Sequence, residues 1–236
     1  MENVESCEFK NNILRNNIVS QVPPSAFYIP NFITEEEEQE IIKLVNKAPL
    51  PKWTQLSHRR LQNWGGIPHP KGMIAEEIPS WLKKYVDKVS ELNVFEESKK
   101  PNHVLINEYL PGQGIMAHSD GPLFHPIVST ISCGSHTLLD FYERLDTEKV
   151  EKPPKYEFSL LIEPRSLLFL QKDLYQNYLH SIQERSNDVI STKKLKNMNQ
   201  CSKKYSDQDI LERSTRISLT IRHVPKVSKM KLKIGR

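Results

Sequence analysis

His118 and Asp120 place an imidazole and a carboxylate two residues apart at the end of a short extended stretch. Residues two apart on a strand point the same way, so the pair can supply two of the three ligands of a two-histidine, one-carboxylate site for Fe(II). With 8 histidines and 29 acidic residues in 236 positions, about one such pairing arises by chance. The pair gains weight only from its surroundings. The stretch His103 to Gly121 reads as two strands, Val104 to Tyr109 and Ile115 to His118, joined by a turn holding Pro111, Gly112 and Gly114. Asn107 and Tyr109 share one face of the first strand.

A third ligand has few candidates. His125 lies in a proline-bounded loop, and His136 follows closely in the adjacent strand pair. His223 has the opposite parity to Arg216 and Arg222. His180, within the strand Tyr178 to Ile182, is the best remaining choice. The last strand, Arg216 to Val224, opens with an unbroken alternation: Arg216, Ser218, Thr220 and Arg222 on one face, Ile217, Leu219 and Ile221 on the other. If the polar face points inward, two arginines need anions, because buried charge must be paired. A dicarboxylate and an acidic metal ligand would supply them, and the guanidinium fork suits carboxylate. An ordinary outer face in water is the competing reading.

The elements that must position these groups are short strands. Beyond the opening pair they are Ile127 to Ser132, Thr137 to Tyr142, Tyr156 to Ile162, Ser166 to Leu170, Tyr178 to Ile182 and the last strand. Eight segments split by Gly, Pro and charged turns fit a jelly roll. Upstream, Phe27 to Ile29 is a short strand. Thr34 and Glu37 match a capping box before a helix with Ile41, Ile42, Leu44 and Val45 on one face. Pro79 to Val89 is a second helix, its stripe formed by Trp81, Leu82, Tyr85, Val86 and Val89. Pro51 to Gly72 interleaves Trp53, Arg59, Arg60, Gln62, Trp64 and glycines without periodicity. It reads as a loop that stacks on a planar, anionic substrate, or as one pinned to the core by Trp53 and Trp64. Glu143 to Lys155 and Gln183 to Glu212 are polar and read as mobile loops.

The resulting organisation is a flexible tail at 1–21, an N-terminal extension at 22–98 with a lid at 51–72, a jelly-roll domain at 99–226 with a polar insertion at 183–212, and a basic tail at 227–236. Composition sets bounds on function. The net charge of +4 permits acidic partners but falls short of a dedicated nucleic-acid binder. A hydrophobic share of 37% and a mean hydropathy of −0.56 agree with a chain that packs only in part. Cys7, Cys133 and Cys201 are scattered and odd in number, which argues against a disulfide framework or structural zinc. No apolar run is long enough to span a bilayer and no secretory signal pattern is present, so the expected setting is intracellular and reducing, cytoplasm and nucleus.

Taken together, Asn107-x-Tyr109, His118-x-Asp120, His180, Arg216 and Arg222, in this order, resemble the AlkB family of Fe(II)/2-oxoglutarate dioxygenases. Trp53-Thr54-Gln55-Leu56, Leu61 to Gly66 and His136 to Glu143 are most similar to its homolog 6 branch. The resemblance implies a double-stranded β-helix, mainly β, with flanking helices. It implies Fe(II) held by His118, Asp120 and His180, and 2-oxoglutarate and O2 as cosubstrates. Arg216 would hold the distal carboxylate of 2-oxoglutarate. Asn107, Tyr109 and Ser218 would add polar contacts, and Arg222 would brace the cosubstrate or Asp120. By position, 51–72 would be a nucleotide-recognising lid, with Arg60, Gln62 and Trp64 as its contacts. The implied reaction removes N-alkyl groups from nucleic acid by hydroxylation, releasing formaldehyde from a methyl group. A protein side chain is the alternative substrate, and a non-catalytic metal-binding interaction module is the alternative of another class.

Overall fold

The computed structural model describes residues 14–144 and 154–228. Among these residues, thirteen strands make two facing antiparallel sheets and one small hairpin. The larger sheet runs in the order β1 (Ala26–Ile29), β9 (Leu167–Gln171), β6 (Ile127–Cys133), β13 (Arg216–Arg222), β4 (His103–Tyr109), β3 (Arg59–Trp64), β2 (Trp53–Leu56). The smaller sheet runs β5 (Ile115–His118), β10 (Tyr178–Ile182), β7 (Thr137–Glu143), β8 (Tyr156–Ile162). This is the expected jelly roll. Strands of the N-terminal extension, β1 to β3, belong to the same large sheet as the roll.

Two helices cover the outer face of the large sheet. α1 (Glu35–Asn46) starts at Thr34, whose side chain accepts from the backbone N–H of Glu37, while the Glu37 carboxylate accepts from the backbone N–H of Thr34. That capping box satisfies two orphan donors, and four glutamates in the first turn suit the helix dipole. Ile41 and Val45 of α1, with Leu82, Tyr85, Val86 and Val89 of α2 (Ser80–Ser90), bury against Val104, Ile106, Ile217, Leu219 and Ile221. Those five sheet residues are the apolar alternation of β4 and β13, so the partner alternation of both strands turns inward, between the sheets.

Two segments depart from expectation. Residues 51–72 contain a regular hairpin, β2 with β3, and β3 pairs with β4 from Arg60 opposite Glu108 to Trp64 opposite Val104. The strand alternation is masked in the sequence because both faces of β3 carry polar residues. Residues 183–212 are not a mobile loop. They hold the hairpin β11 (Asn187–Val189) with β12 (Ile210–Glu212), and a small core of Ile190 and Leu195 packs on Leu138 and Leu161 of the smaller sheet. Polar anchoring substitutes for apolar content. The buried Glu163 carboxylate accepts from the Ser202 backbone and hydroxyl, the Lys203 backbone and the hydroxyls of Tyr28 and Tyr205. Asp188, fully buried, pairs with Arg213, Arg185 and His136. Of the other polar stretch, 145–153 lies outside the described residues, as do most of both tails.

Candidate metal and cosubstrate centre

His118 ends β5 and His180 sits mid-β10. The register sets them directly opposite one another, with ring centroids 4.4 Å apart. Asp120, two residues past His118 and beyond the end of the strand, completes a set whose ligand atoms lie within 4.8 Å of one another. Gly114 permits β5 to lie this close to β10, since a Cβ there would collide with the Ile182 carbonyl.

The donor set fits Fe(II). His118 Nδ1 lies 2.8 Å from the Met116 carbonyl oxygen. A carbonyl only accepts, so Nδ1 carries the proton and the Nε2 lone pair is left for a metal. Burial pushes the His180 imidazole down to about 4, which keeps it neutral and able to ligate. Asp120 accepts from Arg222 Nη1 at 2.9 Å, and the Arg222 guanidinium lies over the Phe124 ring at 3.8 Å. The Tyr175 hydroxyl donates to the Gly121 carbonyl at 3.0 Å, fixing the turn after Asp120.

These groups open on a cavity of about 320 Å³ between the sheets. Its polar wall is the inner face of β4 and β13: Asn107 lies opposite Ser218 and Tyr109 opposite Arg216. Arg222 and Thr220 line it too, and Leu105, Val128, Leu139, Ile162 and Leu168 make it apolar elsewhere. The polar face of the last strand is therefore internal, because helices cover its other face. Arg216 is 7% exposed and donates to Ser132 Oγ at 2.8 Å, yet its buried Nε has no partner. Among the described residues no carboxylate pairs with it. Burial lowers Arg216 to about 10, so it stays cationic at neutral pH, and a carboxylate is the group it lacks.

The rejected histidines lie elsewhere. His136 faces Asp188 at 3.2 Å, while His223 accompanies the Lys100 carbonyl and His125. The expected lid contacts need correction. Arg60, Gln62 and Trp64 share the parity of β3 that faces the helices, not the cavity. Arg60 forms two bonds to Glu108, at 2.6 and 2.8 Å, and lies over Trp53. Gln62 is wholly buried, donates to the Val45 carbonyl and accepts from Trp64. Trp64 packs edge-on against Trp81. The hairpin residue that does reach the cavity is Arg59, whose Nε donates to Asn107 Oδ1 at 3.1 Å. Sequence reasoning also passed over Phe124, Tyr175 and Ser132. Strand parity in β3 would have separated Arg59 from Arg60; the other three are loop, helix and neighbouring-strand contacts without a local signal.

A jelly roll with two histidines and one carboxylate at the edge of a cavity, and an unpaired arginine across it, defines an Fe(II)- and 2-oxoglutarate-dependent oxygenase. The chain belongs to the 2OG-Fe(II) oxygenase superfamily, whose sequence profile matches residues 51–222, and within it to the AlkB homologues. It is 51% identical over 227 residues, 94% of this chain and 95% of the other, to "Probable RNA/DNA demethylase ALKBH6" of Danio rerio. It is 28% identical, over 84% of each chain, to "Uncharacterized protein L905" of Acanthamoeba polyphaga mimivirus. Among solved structures, "The structure of OsALKBH1" shares the fold, with a TM-score of 0.56, 15% identity and coverage of 86% of this chain and 99% of that one. Membership makes the chain a dioxygenase that uses Fe(II), 2-oxoglutarate and O2.

Proposed function

We propose that this dioxygenase hydroxylates N-alkyl groups of nucleic acid, with oxidative demethylation as the outcome. The observation that carries this reading is the single cavity joining His118, Asp120 and His180 to Arg216. The 51% identity to a protein named a probable RNA/DNA demethylase supports the substrate class. Fe(II), when bound with O2, supplies the oxidising chemistry that couples conversion of 2-oxoglutarate to succinate and CO2 with hydroxylation of a C–H bond.

The chain's own residues do the positioning. Arg216 would take the distal carboxylate of 2-oxoglutarate in its planar fork, with Tyr109 and Ser218 beside it. Arg222 holds Asp120 in place, and the Met116 carbonyl holds the tautomer of His118. Leu105, Val128 and Leu168 exclude water from the reacting centre. A hydroxylated N-methyl carbon then departs as formaldehyde.

Incubating Fe(II)-loaded protein with 2-oxoglutarate, O2 and N-methylated DNA or RNA oligonucleotides is expected to raise succinate above the uncoupled background and release formaldehyde. Stimulation by methylated peptides alone would transfer the activity to protein. We also propose cytoplasm and nucleus as its compartments, motivated by free thiols at Cys133 and Cys201; imaging of a tagged chain tests this. No helix among the described residues is long and apolar enough to cross a membrane.

A further inference from the structure

One cation in the cavity has no role in the centre described above. Arg59 opens β3 just after the hairpin turn and lines the cavity beside Asn107. Its neighbour Arg60 is neutralised by Glu108 and Arg222 by Asp120. Among the described residues, Arg59 has no carboxylate within ion-pair distance, and its guanidinium makes one hydrogen bond, from Nε to Asn107. The Nη1 and Nη2 edge remains available. A half-buried guanidinium without a counter-ion forgoes most of the compensation for its lost hydration, so an arriving anion has much to gain there.

In the reading above, the cosubstrate has no carboxylate left for Arg59. 2-Oxoglutarate has two carboxylates: Arg216 would take one, and the other would serve the centre of His118, Asp120 and His180. Arg59 and Arg216 stand on opposite sides of β4, with strands spaced about 4.8 Å apart, and Tyr109 feels the charge of both. An anion at Arg59 would then come with the substrate. We propose that Arg59 reads a phosphodiester of the substrate strand, gripping the phosphate of the nucleotide whose base is presented to the metal position. This rests on the nucleic-acid reading above and narrows it: a nucleoside or free base would lack the handle, whereas a nucleotide within a chain provides it. Arginine matches phosphate through two parallel hydrogen bonds.

The test is fluorescence anisotropy with a labelled single-stranded 12-mer oligonucleotide, titrated against full-length protein loaded with Mn(II) and 2-oxoglutarate, from 50 to 200 mM NaCl. Wild type, Arg59→Gln and Arg59→Lys are compared. Loss of a charged hydrogen bond predicts about tenfold weaker binding for Arg59→Gln. Loss of one phosphate contact makes the slope of log K against log salt shallower by about 0.7. Arg59→Lys should keep the slope and lose only part of the affinity. Affinity for 2-oxoglutarate, titrated in the same proteins, should fall far less than oligonucleotide affinity. Parallel salt slopes for wild type and Arg59→Gln overturn the inference while leaving the nucleic-acid reading intact, as does a loss confined to 2-oxoglutarate. Wild type that fails to bind the oligonucleotide overturns both.

Discussion

At the scale of residues, the centre depends on groups that fix one another's chemical state. The Met116 carbonyl selects the His118 tautomer, burial keeps His180 neutral, and Arg222 holds Asp120 from behind. Replacing His118 by Ala removes a ligand without disturbing either hydrophobic layer. Metal content after Fe(II) loading should fall to background and succinate formation by at least about 100-fold, while far-ultraviolet circular dichroism stays that of wild type. Arg216 makes a different prediction. Arg216→Lys retains charge but loses the planar fork, so the KM for 2-oxoglutarate should rise about tenfold or more with metal affinity preserved; an unchanged KM would remove Arg216 from the cosubstrate site.

At the scale of elements, the hairpin β11–β12 is held by Asp188 rather than by apolar area. Burial acts to raise the Asp188 carboxyl, but His136 3.2 Å away, hydrogen bonds from Arg213 and the charges of Arg213 and Arg185 more than offset it, leaving it well below the usual range. A depressed native value means that the stabilisation is present above the unfolded value of about 4 and is lost as pH falls toward the native one. Asp188→Asn should destabilise by about 3 to 5 kcal/mol at neutral pH, since it leaves Arg213 buried and unpaired. The gap between wild type and variant in urea unfolding should narrow between pH 5 and pH 3. A gap independent of pH would mean that packing, not the charge of Asp188, anchors the hairpin.

At the scale of the whole molecule, the site lies between two sheets, so it is assembled only when both are in place. Metal and cosubstrate binding must then stabilise the fold. At 100 times the Kd, a ligand specific for the native state adds about 2.7 kcal/mol, which for a domain of this size raises Tm by about 5 to 10 °C. Thermal unfolding with Mn(II) and 2-oxoglutarate should show this shift in wild type and lose most of it in His118→Ala. The modest net charge of +4 supplies little long-range attraction for an anion, which puts weight on individual positions such as Arg59.

The strand alternation of β4 and β13, the capping box at Thr34 and the spacing of His118 and Asp120 are local patterns, and they made the strands, the first helix and candidate metal and anion-binding groups legible in the sequence, whereas His180 came by elimination and the assignment of roles from the family resemblance. Parity along one strand sufficed to group Arg216 with Arg222 and Asn107 with Tyr109. Which face of β3 looks inward was decided by the helices that precede and follow it in the sequence. Gln62 is claimed by Val45 of α1 and Trp64 by Trp81 of α2, leaving Arg59 to the cavity. The polar 183–212 segment likewise has too little apolar content to announce its order. Its order comes from buried carboxylates at Asp188 and Glu163, most of whose partners are distant in the chain and meet them only in the tertiary structure.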